Sequence, residues 1–543
     1  MLRDAMSQFS VVAKYFCFTL VFLLPADVYS LQVEMPDQIN RALVQPAVEH
    51  QLVVKFDDDL RARCVDGKVV SKDANATKFA ANLAAENKLQ FHQLIKMDEA
   101  KLEAMAKKAA ENSGRRQPDL CTMMVVDGAK EKLQQVALTL SNSQYVEWVE
   151  FERLVPVPPV FFGDFDIAPA TQDYSSFQGY IGPNPGLNTL AFRAFEGSLG
   201  QGVKLADCEY GFHPGHEDLC DIITETGQTE HPEVVNLGFD AHGTASLGIS
   251  VGADNTYGIR GISYEAETYF FSEWTIEEGL RRTTAIANAV AAVDPGDIVL
   301  LEMQSSQFGD FAPAEVNFSV WNVVRMASDM GVIVVAAAGN GNADLDSDTF
   351  ASYRARGDSG AIIVGAGSAD LGHNKLGFST FGSRVNVQGW GRSVFTLGYG
   401  TFAQVGGSGD INQFYTSSFS GTSSASAMLA GVCAALQSFA VARLGRRLTP
   451  AEMREVLTET GHPQGTGGNI GPFPDMVEAA NFIGPELLIG DVNTDGVVNF
   501  SDISSFIFVL AAEVFQVEAD IDGNGVVNFS DIPPFVAILT QME

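Results

Sequence analysis

The chain has 543 residues, 46% hydrophobic and 19% charged, which excludes a disordered polymer and points to roughly two to four domains. Acidic residues number 67 against 34 lysines and arginines, a formal charge of -33. That balance argues against a nucleic-acid partner and an anionic membrane surface, and six cysteines over this length do not make a disulfide scaffold.

Residues 1–30 read as a secretory signal. Arg3 and Lys14 supply positive charge, an apolar run over 15–24 is too short to span a bilayer, and Val28 and Ser30 suit cleavage near residue 30. A secreted protein, extracellular or attached to a cell surface, is expected, with no membrane span. Export removes Cys17 and leaves five cysteines. In an oxidising compartment Cys64 could pair with Cys121 and Cys208 with Cys220, while Cys433, in an apolar helical run, reads as a buried thiol. Within 50–157 the pattern predicts strands over 51–56, 123–126 and 146–150 and helices over 72–87, 98–112 and 129–140, close to a β-α-β-β-α-β layout.

From 185 to 484 the pattern changes. Apolar runs at 202–206, 298–301, 332–338 and 361–364 predict buried strands, and 276–293, 314–330, 424–444 and 450–458 predict helices. The alternation predicts an α/β fold, a parallel sheet flanked by helices on both faces, with sites at the carboxyl ends of its strands. Three polar side chains are placed there: Asp207 ends an apolar strand, His242 opens a helical stretch, and Ser423 begins a longer helix in a segment crowded only by small residues. A serine hydroxyl becomes a nucleophile near pH 7 when an imidazole takes its proton and a carboxylate orients that imidazole. Taken singly, Asp207 also reads as a strand-end cap, His242 as a core histidine and Ser423 as an N-cap. Taken together, in this order, they read as a catalytic triad.

These segments resemble subtilisin-type serine peptidases. His242-Gly243-Thr244 is similar to the family's histidine motif and Gly421-Thr422-Ser423 to its serine motif, while 334–340 is similar to the segment whose asparagine, here Asn340, completes the oxyanion hole. The order Asp, His, Ser is the one known for subtilisin. The resemblance implies a serine endopeptidase acting on proteins or peptides through Asp207, His242 and Ser423, with Asn340 binding the oxyanion. It also implies that 50–157 is an inhibitory propeptide that assists folding, with maturation within 154–185. The family's Asp-Thr-Gly or Asp-Ser-Gly reads Asp207-Cys208-Glu209 here, with a glycine only at Gly211. Glu302-Met303-Gln304-Ser305 replaces the usual Ser-Leu-Gly, and Ala427 stands where proline is common. A second reading is a catalytically silent, calcium-dependent binding protein on the same fold.

The tail, 486–543, contains a repeat. Asp491 to Asp502 (DVNTDGVVNFSD) recurs as Asp520 to Asp531 (DIDGNGVVNFSD), an offset of 29. Oxygen side chains stand at positions 1, 3, 5, 9 and 12 of each loop, glycine at the sharp turn, and a backbone carbonyl at position 7, the ligand spacing calcium requires. The predicted Ca2+ ligands are Asp491, Asn493, Asp495, Val497, Asn499 and Asp502, then Asp520, Asp522, Asn524, Val526, Asn528 and Asp531. Each loop leads into an apolar run, 503–510 and 532–539, read as a helix. The pair resembles the dockerin module, which implies attachment to a cohesin-like scaffold. Positions 10 and 11, which the family uses to read its partner, are Phe500-Ser501 and Phe529-Ser530.

Overall fold

Strands such as Ile298–Leu301 and Ile333–Ala337 are apolar at every position, so both of their faces need cover. The computed structural model describes residues 50–153, 170–219, 221–484, 489–493, 497–512, 516–522 and 526–540. The signal segment, Cys17, Cys220 and the first half of the proposed maturation stretch, 154–169, lie outside the described residues.

The N-terminal unit comprises β1 (His50–Phe56), α1 (Ala74–Asn87), β2 (Gln90–Gln93), α2 (Glu99–Ser113), β3 (Met123–Asp127), α3 (Lys130–Ser141) and β4 (Val146–Arg153). Its antiparallel sheet runs β2-β3-β1-β4; the three expected strands and three expected helices are present, and β2 is the strand that the sequence pattern did not mark. Asp73 and Asp98 start α1 and α2 by accepting hydrogen bonds from first-turn amides.

The middle unit is a seven-stranded, wholly parallel sheet. Its strands are β5 (Lys204–Glu209), β6 (Ile222–Thr224), β7 (Glu267–Ser272), β8 (Ile298–Leu301), β9 (Ile333–Ala337), β10 (Ile362–Gly367) and β11 (Val387–Trp390), ordered β11-β10-β9-β8-β5-β7-β6. Side chains alternate between its faces. Leu205, Ile298, Leu300 and Val335 pack under α4 (Asp240–Val251) and α7 (Gly421–Leu444). Ala206, Cys208, Val299 and Val334 pack under α5 (Arg282–Ala292) and α6 (Phe318–Asp329). The N-terminal unit lies on this second helix pair. Trp148 stacks on Phe318 with ring centroids 5.3 Å apart. Glu150 accepts hydrogen bonds from the Phe318 and Ser319 amides at 3.0 and 3.1 Å, supplying the start of α6 with the cap that Asn317 does not provide. Asn112 donates to the Met330 carbonyl at 3.0 Å, so α2 is the element that reaches across.

Several expectations are corrected. The strand predicted to end at Asp207 continues to Glu209. The helix predicted from 276 begins only at Arg282, because Trp274–Thr275 and Gly279–Leu280 pair as a short hairpin that turns at Gly279, where φ is 68°. Helix α7 is long and apolar enough to cross a membrane, yet every residue from Gly421 to Ala440 is buried within the protein, so it is a core helix. Cys64 and Cys121 are free thiols rather than a bridge: Cys64 packs against the core of the N-terminal sheet, whereas Cys121 belongs to the core shared with α5 and α6. Burial pushes the Cys121 thiol up to about 12. Cys433 is the expected buried thiol.

The C-terminal unit has its own core. Helices α8 (Asp502–Ala512) and α9 (Ile532–Thr540), at the two expected positions, meet through Phe506 and Phe535, stacked 4.3 Å apart, with Val492, Val509 and Leu539 around them.

Candidate active site

Four side chains come together at the carboxyl ends of the parallel strands: Glu209 ends β5, His242 lies in the first turn of α4, Ser423 in the first turn of α7, and Asn340 in the loop after β9. All four line one cavity of about 280 Å³. Two glycines permit the approach. Gly421 opens α7 at φ 100°, and a Cβ there would stand 3.2 Å from the Asn340 amide nitrogen. A Cβ on Gly243 would stand 2.2 Å from the Gly211 carbonyl, so only glycine lets α4 sit against the loop after β5. Ser424 ties the start of α7 to the sheet by donating to the Trp390 carbonyl at 2.7 Å.

The acid facing the imidazole is Glu209 and not Asp207. The Glu209 carboxylate contacts His242 Nδ1 directly. Asp207 is fully buried and neither of its oxygens has a side-chain or amide partner of hydrogen-bonding geometry. The reason is the length of β5. Asp207 and Glu209 point to the same face, but Asp207 lies two residues, roughly 7 Å, deeper in the sheet, below the level reached by the first turn of α4. Glu209-Tyr210-Gly211 keeps the acid-x-glycine spacing, a signal in the sequence that marks the acid in contact with His242.

Burial pushes the Asp207 carboxyl well up, with Glu209 adding repulsion and His242 opposing. Burial, then Glu273 and Glu230, push Glu209 well up as well. Burial lowers His242 to about 4, with Asp207 pulling the other way. The imidazole is therefore uncharged near neutral pH and able to accept a proton. A carboxylate with a raised proton affinity is a strong partner for the Nδ1–H once imidazolium forms. The contact at Nδ1 leaves Nε2 as the nitrogen available to the cavity, and the Phe419 ring stands edge-on to the imidazole at 5.2 Å.

The amide of Asn340 is oriented by its oxygen. Asn340 Oδ1 accepts from the Thr422 amide at 2.8 Å and from Thr422 Oγ1 at 3.1 Å, while the Gly339 amide donates to Thr422 Oγ1 at 3.1 Å. With Oδ1 fixed, Nδ2 is the free end and can donate to an anion. The Asn340 backbone N–H donates to Gln304 Oε1 at 2.8 Å, which places a glutamine side chain where the resemblance leads one to expect glycine. His213 and His216 are taken up elsewhere, by Asp240 and by the Phe414 carbonyl.

In the tail, Asp520, Asp522 and Asp531 bring their ligand oxygens within 4.8 Å of one another. Asp502 accepts from the Asn493 and Asn499 amides at 3.0 and 2.8 Å, and Asp531 repeats this with Asp522 and Asn528 at 3.1 and 2.8 Å. Each position-12 carboxylate thus closes its loop and keeps lone pairs for a cation. This donor set, all carboxylate, amide and carbonyl oxygen, fits a hard cation such as calcium. Asp495 and Asn524 lie outside the described residues.

The sequence model of the subtilase family matches residues 200–479. Thermitase from Thermoactinomyces vulgaris is 29% identical over 45% of this chain and 78% of its own, and subtilisin DY from Bacillus licheniformis 26% identical over 45% and 79%. Among solved structures, a protease from Pseudoalteromonas arctica is 18% identical, covering 58% of this chain and 99% of its own at a TM-score of 0.42. The match spans more than half of the residues and contains the whole parallel sheet with the serine, histidine and asparagine set at its edge: the chain belongs to the subtilase family and is a serine-type endopeptidase.

Proposed function

We propose that the triad is Glu209, His242 and Ser423. His242 Nε2 takes the Ser423 proton as the hydroxyl attacks the peptide carbonyl, Glu209 holds Nδ1–H and stabilises the imidazolium, and Asn340 Nδ2 with the Ser423 amide binds the oxyanion. His242 then returns the proton to the leaving amine, and water hydrolyses the acyl-enzyme by the same route. The contact of Glu209 with His242, in a cavity that also holds Ser423 and Asn340, carries this reading. A fluorophosphonate probe applied to the mature, folded protein is expected to attach at Ser423 and to leave Ser423→Ala unlabelled. Folded protein without an adduct would favour the silent binding reading instead.

The proposal extends to the rest of the chain. Residues 1–30 direct secretion. The unit over 50–157 acts as a propeptide, a role supported by its Glu150 cap and Trp148 stack on α6. In the tail, 486–543, the residues that would hold calcium are Asp520, Asp522, Val526 and Asp531 with Asn524 and Asn528, and the matching residues from Asp491 to Asp502; the ion would supply the positive charge that clustered carboxylates need to coexist. A cohesin-like protein scaffold is the proposed partner, favoured by Phe500 and Phe529, which stand 65% and 78% exposed at matching loop positions. Chelator treatment of the Ser423→Ala protein is expected to make the tail, which has no Lys or Arg, sensitive to added elastase, and restored calcium to protect it again. An unchanged digestion pattern, with no heat of calcium binding in titration, would refute the loops.

A further inference from the structure

Glu302, which follows β8, is a buried carboxyl lining the active cavity that the triad does not use. Its Oε1 stands 2.9 Å from Ser426 Oγ, and its Oε2 is buried without a partner of hydrogen-bonding geometry. The protons around Ser426 can be counted. Its hydroxyl lies 2.8 Å from the Thr422 carbonyl, 3.2 Å from the Ser423 carbonyl and 2.9 Å from Glu302 Oε1. One hydroxyl proton faces three oxygens, and the helical carbonyl four residues back is its ordinary receiver. If Glu302 is ionised, Ser426 donates to Oε1 and the charge is left with Oε2 buried and without a donor. If Glu302 carries a proton, it donates to Ser426 Oγ, Ser426 donates to Thr422, and both bonds are made.

The groups facing Glu302 agree. Asp207 and Glu209 approach from β5, the hydroxyls of Ser423 and Ser426 from α7, and Tyr399 from the segment between β11 and α7. His242 lines the same cavity, as does Arg282, whose charge is taken by Glu273. Burial first, then Glu209 and Asp207, push the Glu302 carboxyl well up, against the Ser426 and Ser423 hydroxyls.

We propose that Glu302 is a positioning residue held as a neutral carboxylic acid beside the nucleophile, and that its ionisation suppresses peptide hydrolysis. The neutral acid leaves the Ser423 proton to His242. The anion would compete for that proton and set a negative charge beside the developing oxyanion. The inference rests on the proposed triad. The sign follows: Glu302 is neutral below its raised pKa, so activity is lost as pH rises through it.

The test is kcat/KM for a fluorogenic peptide against pH, with tryptophan fluorescence confirming the fold at each point. Wild type is expected to fall about tenfold per pH unit beyond an alkaline turning point, as for loss of one proton. The Glu302→Gln profile, scaled to its own value at neutral pH, is expected to stay flat there. Infrared difference spectra should show a protonated-carboxyl stretch at neutral pH in wild type that the variant lacks. A flat alkaline wild-type profile, or the same fall in Glu302→Gln, overturns the proposal. If the variant does not fold, the wild-type profile alone decides. Absence of hydrolysis at every pH would instead count against the triad.

Discussion

Replacing Glu209 with glutamine is expected to lower kcat by about 10,000-fold, or about 5.4 kcal/mol, with little change in KM. That is the size known for losing the orienting carboxylate in serine peptidase triads, subtilisin among them. The mechanism is specific. The glutamine amide can offer an N–H to His242 Nδ1, which fixes the tautomer with its proton on Nε2, the nitrogen that must accept from Ser423. It also removes the anion that stabilises imidazolium. Asp207→Asn is the informative partner. Burial and Glu209 push the Asp207 carboxyl well up, which disfavours its charged form, and an amide of the same shape replaces it. It is expected to keep activity within about tenfold, the ordinary range for a residue with no part in the proton relay. Steady-state kinetics on the two variants decide the assignment. The opposite pattern, a collapse in Asp207→Asn with Glu209→Gln active, would restore Asp207 and remove Glu209 from the triad.

The difference between these two acids shows where the sequence stops being readable. Ser423, His242 and Asn340 could be placed because each sits at a sharp transition, two at helix starts and one after a buried strand, marked by adjacent small residues. The acid sits at the end of a strand, and the apolar run that announces β5 stops at Ala206, three residues before the strand does. Strand periodicity cannot choose between Asp207 and Glu209, since both face α4 and α7; only the depth along β5 separates them. Also missed were β6, Ile222–Thr224, only three residues long, β11, Val387–Trp390, interrupted by a glycine, and β7, Glu267–Ser272, which has no continuous aliphatic run. Pairing with neighbours supplies what their composition does not. The tail's helices α8 and α9 and the loop-closing carboxylates Asp502 and Asp531 were legible because a fixed twelve-residue spacing marks where each loop ends.

Asn340→Ala is expected to lower kcat by about 100- to 1,000-fold, about 2.7–4 kcal/mol, a magnitude measured in subtilisin itself for its oxyanion asparagine. KM should change little, because the donor meets full negative charge only in the transition state. The orientation of the amide makes this a strong expectation: two hydrogen bonds from Thr422 hold Oδ1, so Nδ2 is already aimed when substrate arrives and no reorganisation is required. Thr422→Val would leave the backbone bond at 2.8 Å and remove the hydroxyl bond at 3.1 Å, so the amide should loosen and kcat fall by about tenfold, less than for Asn340→Ala. A double variant tests the link. If Thr422 acts through Asn340, its effect vanishes once Asn340 is alanine, and the two losses are not additive. Additive losses would mean that Thr422 acts by another route, and full activity in Asn340→Ala would mean that the oxyanion is bound elsewhere.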